Sequence, residues 1–324
     1  MAAKLILKSS ILILMILVSL AVIAKLGHFD QDFYYYAIVD KHNMLMTTKS
    51  PRLILVGGSN VGFGLNSERI KEQLEINVIN MGAAADIGLR YMLEEVKGNI
   101  REGDVLIVCP EYYQFNKYFN GGAGLLYLLD VYPAGIKNFT SYKQYYNAIE
   151  NVPQFLNRRL LAILREMMGR QRPHRRGGRH GFNEFGDFIY HLGKESEDIS
   201  QMSIFSRGTT DLIEPEAIEA INNIYEHARK QNAQAFFYFP SIPILHYERN
   251  MDEIENIHQQ LRRQLLIPII NEPYDQVFPL DYFYDSPYHP NAKGRQVRTE
   301  KFIDEMRKAL YPDNLAAAPG DSVD

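Results

Sequence analysis

The chain has 324 residues, a formal net charge of −4 and 46% hydrophobic residues, with 21 tyrosines, 17 phenylalanines and no tryptophan. That near-neutral balance gives no sign of a nucleic-acid partner, which needs a basic surface. The single cysteine, Cys109, excludes an internal disulfide, and its place in the apolar run DVLIVCP marks it as a buried strand residue.

Residues 11–24, ILILMILVSLAVIA, contain one polar residue, Ser19, and are flanked by Lys8 and Lys25. A membrane-spanning helix needs roughly 20 apolar residues. Counting from Leu5 reaches that length if Lys8 snorkels to the interface. The expectation is a signal anchor over residues 1–27, with its N-terminus in the cytoplasm and the rest of the chain outside it, as at a bacterial inner membrane. A signal peptide cleaved after Val22-Ile23-Ala24 is the competing reading.

Beyond the anchor, short apolar runs alternate with helical patterns. RLILVG (52–57) reads as a strand. NSERIKEQL (66–74) reads as a helix with Asn66 or Ser67 as N-cap. NVINMG (77–82) and DVLIVCP (104–110) read as strands around the helix LRYMLEEVKG (89–98). Later come a helix at 215–231, a strand at 233–240 (AQAFFYFP), a helix at 251–265, a fifth strand at 266–270 (LIPII) and a last helix at 291–310. This alternation predicts a mostly parallel sheet with helices on both faces, in one α/β domain over 28–311. Ligands in such sheets bind beyond the carboxyl ends of the strands, where Ser59, Gly82 and Glu111 stand. Residues 112–212 break the rhythm and read as a helical and loop insertion over the active face. Its basic run from Arg158 to His180 either attracts an anionic glycan or lipid headgroups, or is a solvated loop. The small, polar tail, 312–324, is expected to be disordered.

The turn Gly57-Gly58-Ser59-Asn60 lacks the glycine spacing of a dinucleotide loop, the Lys of a phosphate loop and the second glycine of a G-x-S-x-G elbow. It leaves a serine on a strand-to-helix turn, either a nucleophile or a turn cap. Asp285 and His289, four residues apart, fit an orienting carboxylate and a base for that serine. Asp281, Asp187 and Glu111 are competing carboxylates, and His191 is a competing base. No cofactor or metal is expected.

Taken together, these blocks resemble the SGNH/GDSL hydrolase superfamily, and within it the membrane-anchored branch found with cell-envelope polysaccharide O-acylation. GGSN at 57–60 stands for the nucleophile block, Asn80-Met81-Gly82 for the second, Pro110-Glu111-Tyr112 for the third and Asp285 to Gly294 for the last. The resemblance implies a flavodoxin-like three-layer α/β sandwich and a catalytic Ser59, His289 and Asp285. It implies an oxyanion hole of the Gly82 and Ser59 N–H groups, or one in which Asn60 substitutes for the usual asparagine amide; Glu111, which stands at that amide's position, cannot donate unless protonated. Asn183, Asp187 and His191, in NEFGDFIYH, resemble a motif of the same branch and are expected to line the substrate cleft. Gly58 replaces the usual Asp of the nucleophile block, Glu111 replaces the asparagine, and the Asp–His spacing is one residue longer than usual. The implied function is a serine esterase or O-acyltransferase acting on acyl, chiefly acetyl, esters of a carbohydrate, with a polytopic membrane acyl donor as partner. A non-catalytic scaffold of a polysaccharide modification or export complex, and a lipid esterase, are the rival readings.

Overall fold

The structure, a computed structural model, describes residues 2–26, 32–169, 177–205 and 213–311. The first half runs α1 (Ala2–Leu26), α2 (Ala37–Thr47), β1 (Arg52–Gly57), α3 (Ser59–Gly64), α4 (Ser67–Leu74), β2 (Asn77–Asn80), α5 (Leu89–Lys97) and β3 (Val105–Cys109). Then follow α6 (Gly124–Val131), α7 (Tyr142–Glu150), α8 (Val152–Met167), α9 (Pro215–Lys230) and β4 (Gln234–Phe237). The chain closes with β5 (Ile242–Pro243), α10 (Ile244–Arg249), α11 (Met251–Gln264), β6 (Val277–Phe278) and α12 (Ala292–Leu310).

The apolar runs behave as strands covered on both faces. Leu53, Ile54, Leu55 and Val56 are all fully buried, as continuous β-branched and leucine runs in a parallel sheet should be. β1 pairs in parallel with β2 and β3, and β3 pairs with β4, giving the order β2–β1–β3–β4. Alternation then sorts the side chains. Leu53, Leu55, Ile107 and Cys109 face α3, α4 and α12, where Val61, Ile70, Leu74, Phe302, Ile303 and Met306 complete one core. Ile54, Val56, Leu106 and Val108 face the other way, against α5, α9 and α11. On α9 the buried positions Ala217, Ile221, Ile224 and Ala228 recur at helical spacing, so one stripe meets the sheet. The architecture is thus a central parallel sheet of four strands flanked by helices.

The predicted fifth strand does not form as one. Ile269 makes a single parallel bridge to Phe237. The Pro268 carbonyl accepts from Phe237 N–H at 2.8 Å and Ile270 N–H returns to the Phe237 carbonyl at 3.2 Å, but Pro268 has no N–H with which to extend the ladder. β5 and β6 instead make a separate two-stranded sheet.

The described part of the 112–205 segment carries α6, α7 and α8. α6 joins the main core through Leu125 and Leu128, whereas α7 and α8 expose Tyr142, Tyr146, Ile149, Leu164 and Met167. Among the described residues of the basic run, three arginines are engaged. Arg158 donates to the Tyr127 hydroxyl at 2.8 Å, Arg159 pairs with Asp130, and Arg179 holds Asp40 through two hydrogen bonds. Residues 170–176 and the tail, 312–324, lie outside the described residues.

The N-terminal expectation needs correction. Among the described residues no helix is long and apolar enough to cross a membrane, so the spanning anchor is not supported. Lys8, Ser9 and Ser10 interrupt α1, and the unbroken apolar run after them falls short of the roughly 20 residues of a span. α1 packs beside α8 and exposes Leu5, Leu12, Leu14 and Met15.

The fold itself positions a site. From β1 the chain moves outward to β2 and then returns to β3 on the other side of β1. The strand order reverses between β1 and β3, and their carboxyl ends open a crevice. Ser59 follows β1 there, and Glu111 follows β3.

Candidate active site

Ser59 is the first residue of α3, with Gly58 as the extended N-cap. A helix's first N–H has no intrahelical acceptor, and among the described residues the Ser59 N–H donates to no protein group. The side chain is half-buried rather than sealed off.

His289 reaches it from the loop that precedes α12. His289 Nε2 lies 2.7 Å from Ser59 Oγ, and His289 Nδ1 lies 2.6 Å from Asp285 Oδ1. The imidazole stacks on Phe63 of α3, with ring centroids 3.8 Å apart and planes 9° off parallel. The serine's own helix therefore orients its partner. The additional residue between Asp285 and His289 is taken up by a turn in which His289 N–H donates to the Ser286 carbonyl at 3.1 Å. Tyr288 points inward from that turn. Its hydroxyl donates to the Ile204 carbonyl at 2.9 Å and accepts from Tyr112 N–H at 3.1 Å, which ties the loop to the end of β3. Asn291 caps α12, accepting from Lys293 and Gly294 N–H. Gly294 is needed for close approach, since a Cβ there would lie 2.2 Å from the Tyr282 carbonyl oxygen.

Glu111 is the third group at the serine. Its Oε1 lies 2.9 Å from Ser59 Oγ and accepts from Asn60 N–H at 2.8 Å. Burial pushes its carboxyl up from the ordinary range, against hydrogen bonds from Tyr113 and Asn60 and the charge of His289. Gly58 and Glu111 lie side by side: a Cβ on Gly58 would sit 2.5 Å from Glu111 Oε1, so only glycine leaves that carboxyl its place. The Gly58→Asp substitution alone should destabilise the fold by roughly 1–3 kcal/mol through overpacking. Combining it with Glu111→Asn should recover much of that loss. A double-mutant cycle in urea unfolding checks this, with coupling of about 0.5–3 kcal/mol expected.

The oxyanion expectations at Gly82 and Asn60 are not met. Gly82 N–H already donates to Asn80 Oδ1 at 2.9 Å. The Asn60 amide turns into the core, where Nδ2 donates to the Cys109 carbonyl at 3.2 Å. Cys109 is buried, and desolvation raises its thiol to about 11. The described donor open to a developing oxyanion is therefore the Ser59 N–H.

The NEFGDFIYH segment also differs from expectation: Asp187 and His191 lie behind the site, not in a cleft. Asp187 is fully buried and accepts from Ser67 N–H, Ser67 Oγ, Asn80 Nδ2 at 2.8 Å and Arg295 at 2.7 Å. It fixes α4, β2 and α12 to one another. His191 is buried beside Phe63 and Phe188, with Nε2 2.9 Å from the Pro290 carbonyl oxygen, next to His289 in sequence. Desolvation lowers it to about 4, and with the ring buried and its Nε2 spent on that carbonyl it supports the loop from behind rather than facing Ser59. Asn183 Oδ1 accepts from Phe185 and Asp187 N–H. It also borders a cavity of about 420 Å³ with Asp40, Lys41, Phe182 and Glu184. The contacting rings of Phe182, Phe188 and Phe63 stand between that cavity and His289. Asp281 is exposed, 3.6 Å from Lys293, and is not the histidine's partner. Among the described residues no cluster of three or more His, Cys, Asp or Glu could hold a metal ion.

Serine, imidazole and carboxylate in this order can perform nucleophilic acyl transfer. No protein-family model matches the chain, and no curated protein matches it significantly.

Proposed function

We propose that this protein is an SGNH-type serine esterase or O-acyltransferase with a flavodoxin-like wind, acting on acyl esters of a carbohydrate, chiefly acetyl esters. The observation that carries this is the unbroken relay from Asp285 through His289 to Ser59, at 2.6 and 2.7 Å. Ser59 Oγ attacks the ester carbonyl, and His289 Nε2 takes its proton. Asp285 holds the Nδ1–H and so keeps the imidazole in the accepting tautomer. The Ser59 N–H donates to the oxyanion. His289 then returns the proton to the departing alkoxide, which leaves an acyl-enzyme on Ser59. Water as second acceptor gives an esterase, and a sugar hydroxyl gives a transferase. For the transferase, a polytopic membrane protein that delivers the acyl group is the natural partner.

The test is acetate release from a small aryl acetate and from an O-acetylated polysaccharide by the purified chain. Turnover that depends on Ser59 supports hydrolase chemistry, and its absence with both substrates contradicts it. One observation favours the rival scaffold: the Gly82 N–H is already occupied. A scaffold would bind the polysaccharide and leave the aryl acetate untouched.

We propose that the domain sits at a membrane surface. The adjoining helices α1 and α8 both expose apolar side chains, among them Leu12, Leu14, Met15, Leu164 and Met167, and a lipid surface would cover them. The full chain should float with phospholipid vesicles, and replacing Leu12, Leu14 and Met15 by glutamate should leave it in the soluble fraction. Flotation unchanged by those substitutions would remove α1 as the attachment.

A further inference from the structure

Three short contacts form one line from Asp285 through His289 and Ser59 to Glu111, and as hydrogen bonds they require three protons. Asp285 Oδ1 to His289 Nδ1 is 2.6 Å, His289 Nε2 to Ser59 Oγ is 2.7 Å and Ser59 Oγ to Glu111 Oε1 is 2.9 Å. A neutral imidazole supplies one proton, the serine hydroxyl supplies another, and ionised carboxylates supply none. The third must be an additional proton, held either by the imidazole or by Glu111. An imidazolium cannot accept the serine proton, so that form does not react.

We propose that the site carries one proton more than a Ser–His–Asp relay and that Glu111 holds it in the reacting form. Glu111 is then a positioning residue, whose neutral carboxyl leaves the serine proton to His289. The inference rests on the hydrolase mechanism proposed above.

The surroundings agree with a neutral Glu111. Its side chain is fully buried, and desolvation is the largest influence on its ionisation. Facing it are Ser59 and Asn60 from α3, His289, Asp285 and Tyr288 from the loop before α12, Tyr34 from the turn before α2, Tyr113 and Gln114 from its own turn, and Cys109 from β3. Of these, His289 alone can become cationic. Arg298 of α12 spends its Nη1 on the Asn60 carbonyl. During acylation the Ser59 proton moves to His289 and on to the leaving alkoxide, while the Glu111 proton stays in place.

The sign of the pH dependence follows. Glu111 is shifted upward, so its neutral form persists below the shifted value and is lost as pH rises through it. The resulting carboxylate is a charge-assisted acceptor 2.9 Å from Ser59 Oγ. It draws the serine O–H away from His289, and turnover falls by about tenfold per pH unit above that point, as for a single essential proton.

The test uses the full chain and an aryl acetate. The kcat/KM profile of the wild type should have a rising limb, from the imidazole losing its proton, and a falling alkaline limb. Glu111→Gln keeps the volume and cannot ionise, so its profile should lose the alkaline limb; because Oε1 faces both Ser59 Oγ and Asn60 N–H, the amide oxygen there gives Ser59 an acceptor and the rate at the optimum should fall. Infrared difference spectra of the wild type should show a buried protonated carboxyl at the pH optimum, fading with the same midpoint as the alkaline limb. A wild type without that limb, a limb that persists in Glu111→Gln, or an ionised Glu111 at the optimum overturns the proposal. Failure of the hydrolase reading is distinguishable, because it would show as no Ser59-dependent turnover at any pH, while the infrared band that Glu111→Gln removes still reports the Glu111 proton without substrate, apart from the bands of the buried Asp86 and Glu305.

Discussion

Ser59→Ala should lower kcat for an aryl acetate by on the order of 10⁴–10⁶-fold, with His289→Ala close behind, because members of a nucleophilic relay act as a unit. The two losses should not add. Once the serine is gone, His289 has no proton to take, so the double variant should be no slower than Ser59→Ala. Asp285→Asn should cost less than serine removal but still on the order of 10⁴-fold, since the amide favours the wrong imidazole tautomer. Part of the histidine's orientation survives in that variant, because the ring remains stacked on Phe63. Stopped assays at several enzyme concentrations check all three. A Ser59→Ala variant that keeps a tenth of wild-type turnover would mean that another group attacks.

The largest expected effect on stability lies at Asp187. Asp187→Ala leaves the Arg295 guanidinium, itself only 7% exposed, without its carboxylate. It also strips acceptors from Ser67 and Asn80. Breaking a buried pair by removing one partner costs roughly 3–5 kcal/mol, several times the loss expected at an exposed pair such as Arg69–Glu300. The urea midpoint should fall with little change in slope. Asp187→Ala with Arg295→Met should recover part of the loss by removing the stranded charge as well. A loss below about 1 kcal/mol would put Asp187 outside the frame that holds the site together.

The sequence identifies what depends on local pattern. The strands at 52–57, 77–80, 105–109 and 234–237 are dense apolar runs, and those runs hydrogen-bond as expected. Asn66 is the cap of α4 and Asn291 the cap of α12, both readable from residue type and position. Ser59 could be selected because strand ends in a parallel sheet gather chemistry, and Asp285 with His289 because of their spacing, while Asp187, Asp281, Glu111 and His191 stayed competitors until the fold separated them.

What the sequence could not reveal is which partner a polar group has already taken. Gly82 N–H is lost to an asparagine two residues upstream, and the Asn60 amide to the carbonyl of Cys109 on another strand. Asp187 looks like a site residue in sequence because buried structural carboxylates and functional ones are the same residue type. The match of Gly58 to Glu111 joins positions 53 residues apart and appears only when the β1 and β3 ends are side by side. The fifth strand failed on a local signal, since Pro268 removes a ladder donor.

The most direct test of the serine mechanism is covalent labelling. The purified chain is treated with a small fluorophosphonate, and the modified residue is located by peptide mass spectrometry. One adduct per chain on Ser59 is predicted, absent in Ser59→Ala and formed far more slowly in His289→Ala. An adduct that persists in Ser59→Ala, or none on a wild-type chain shown to be folded, would contradict it.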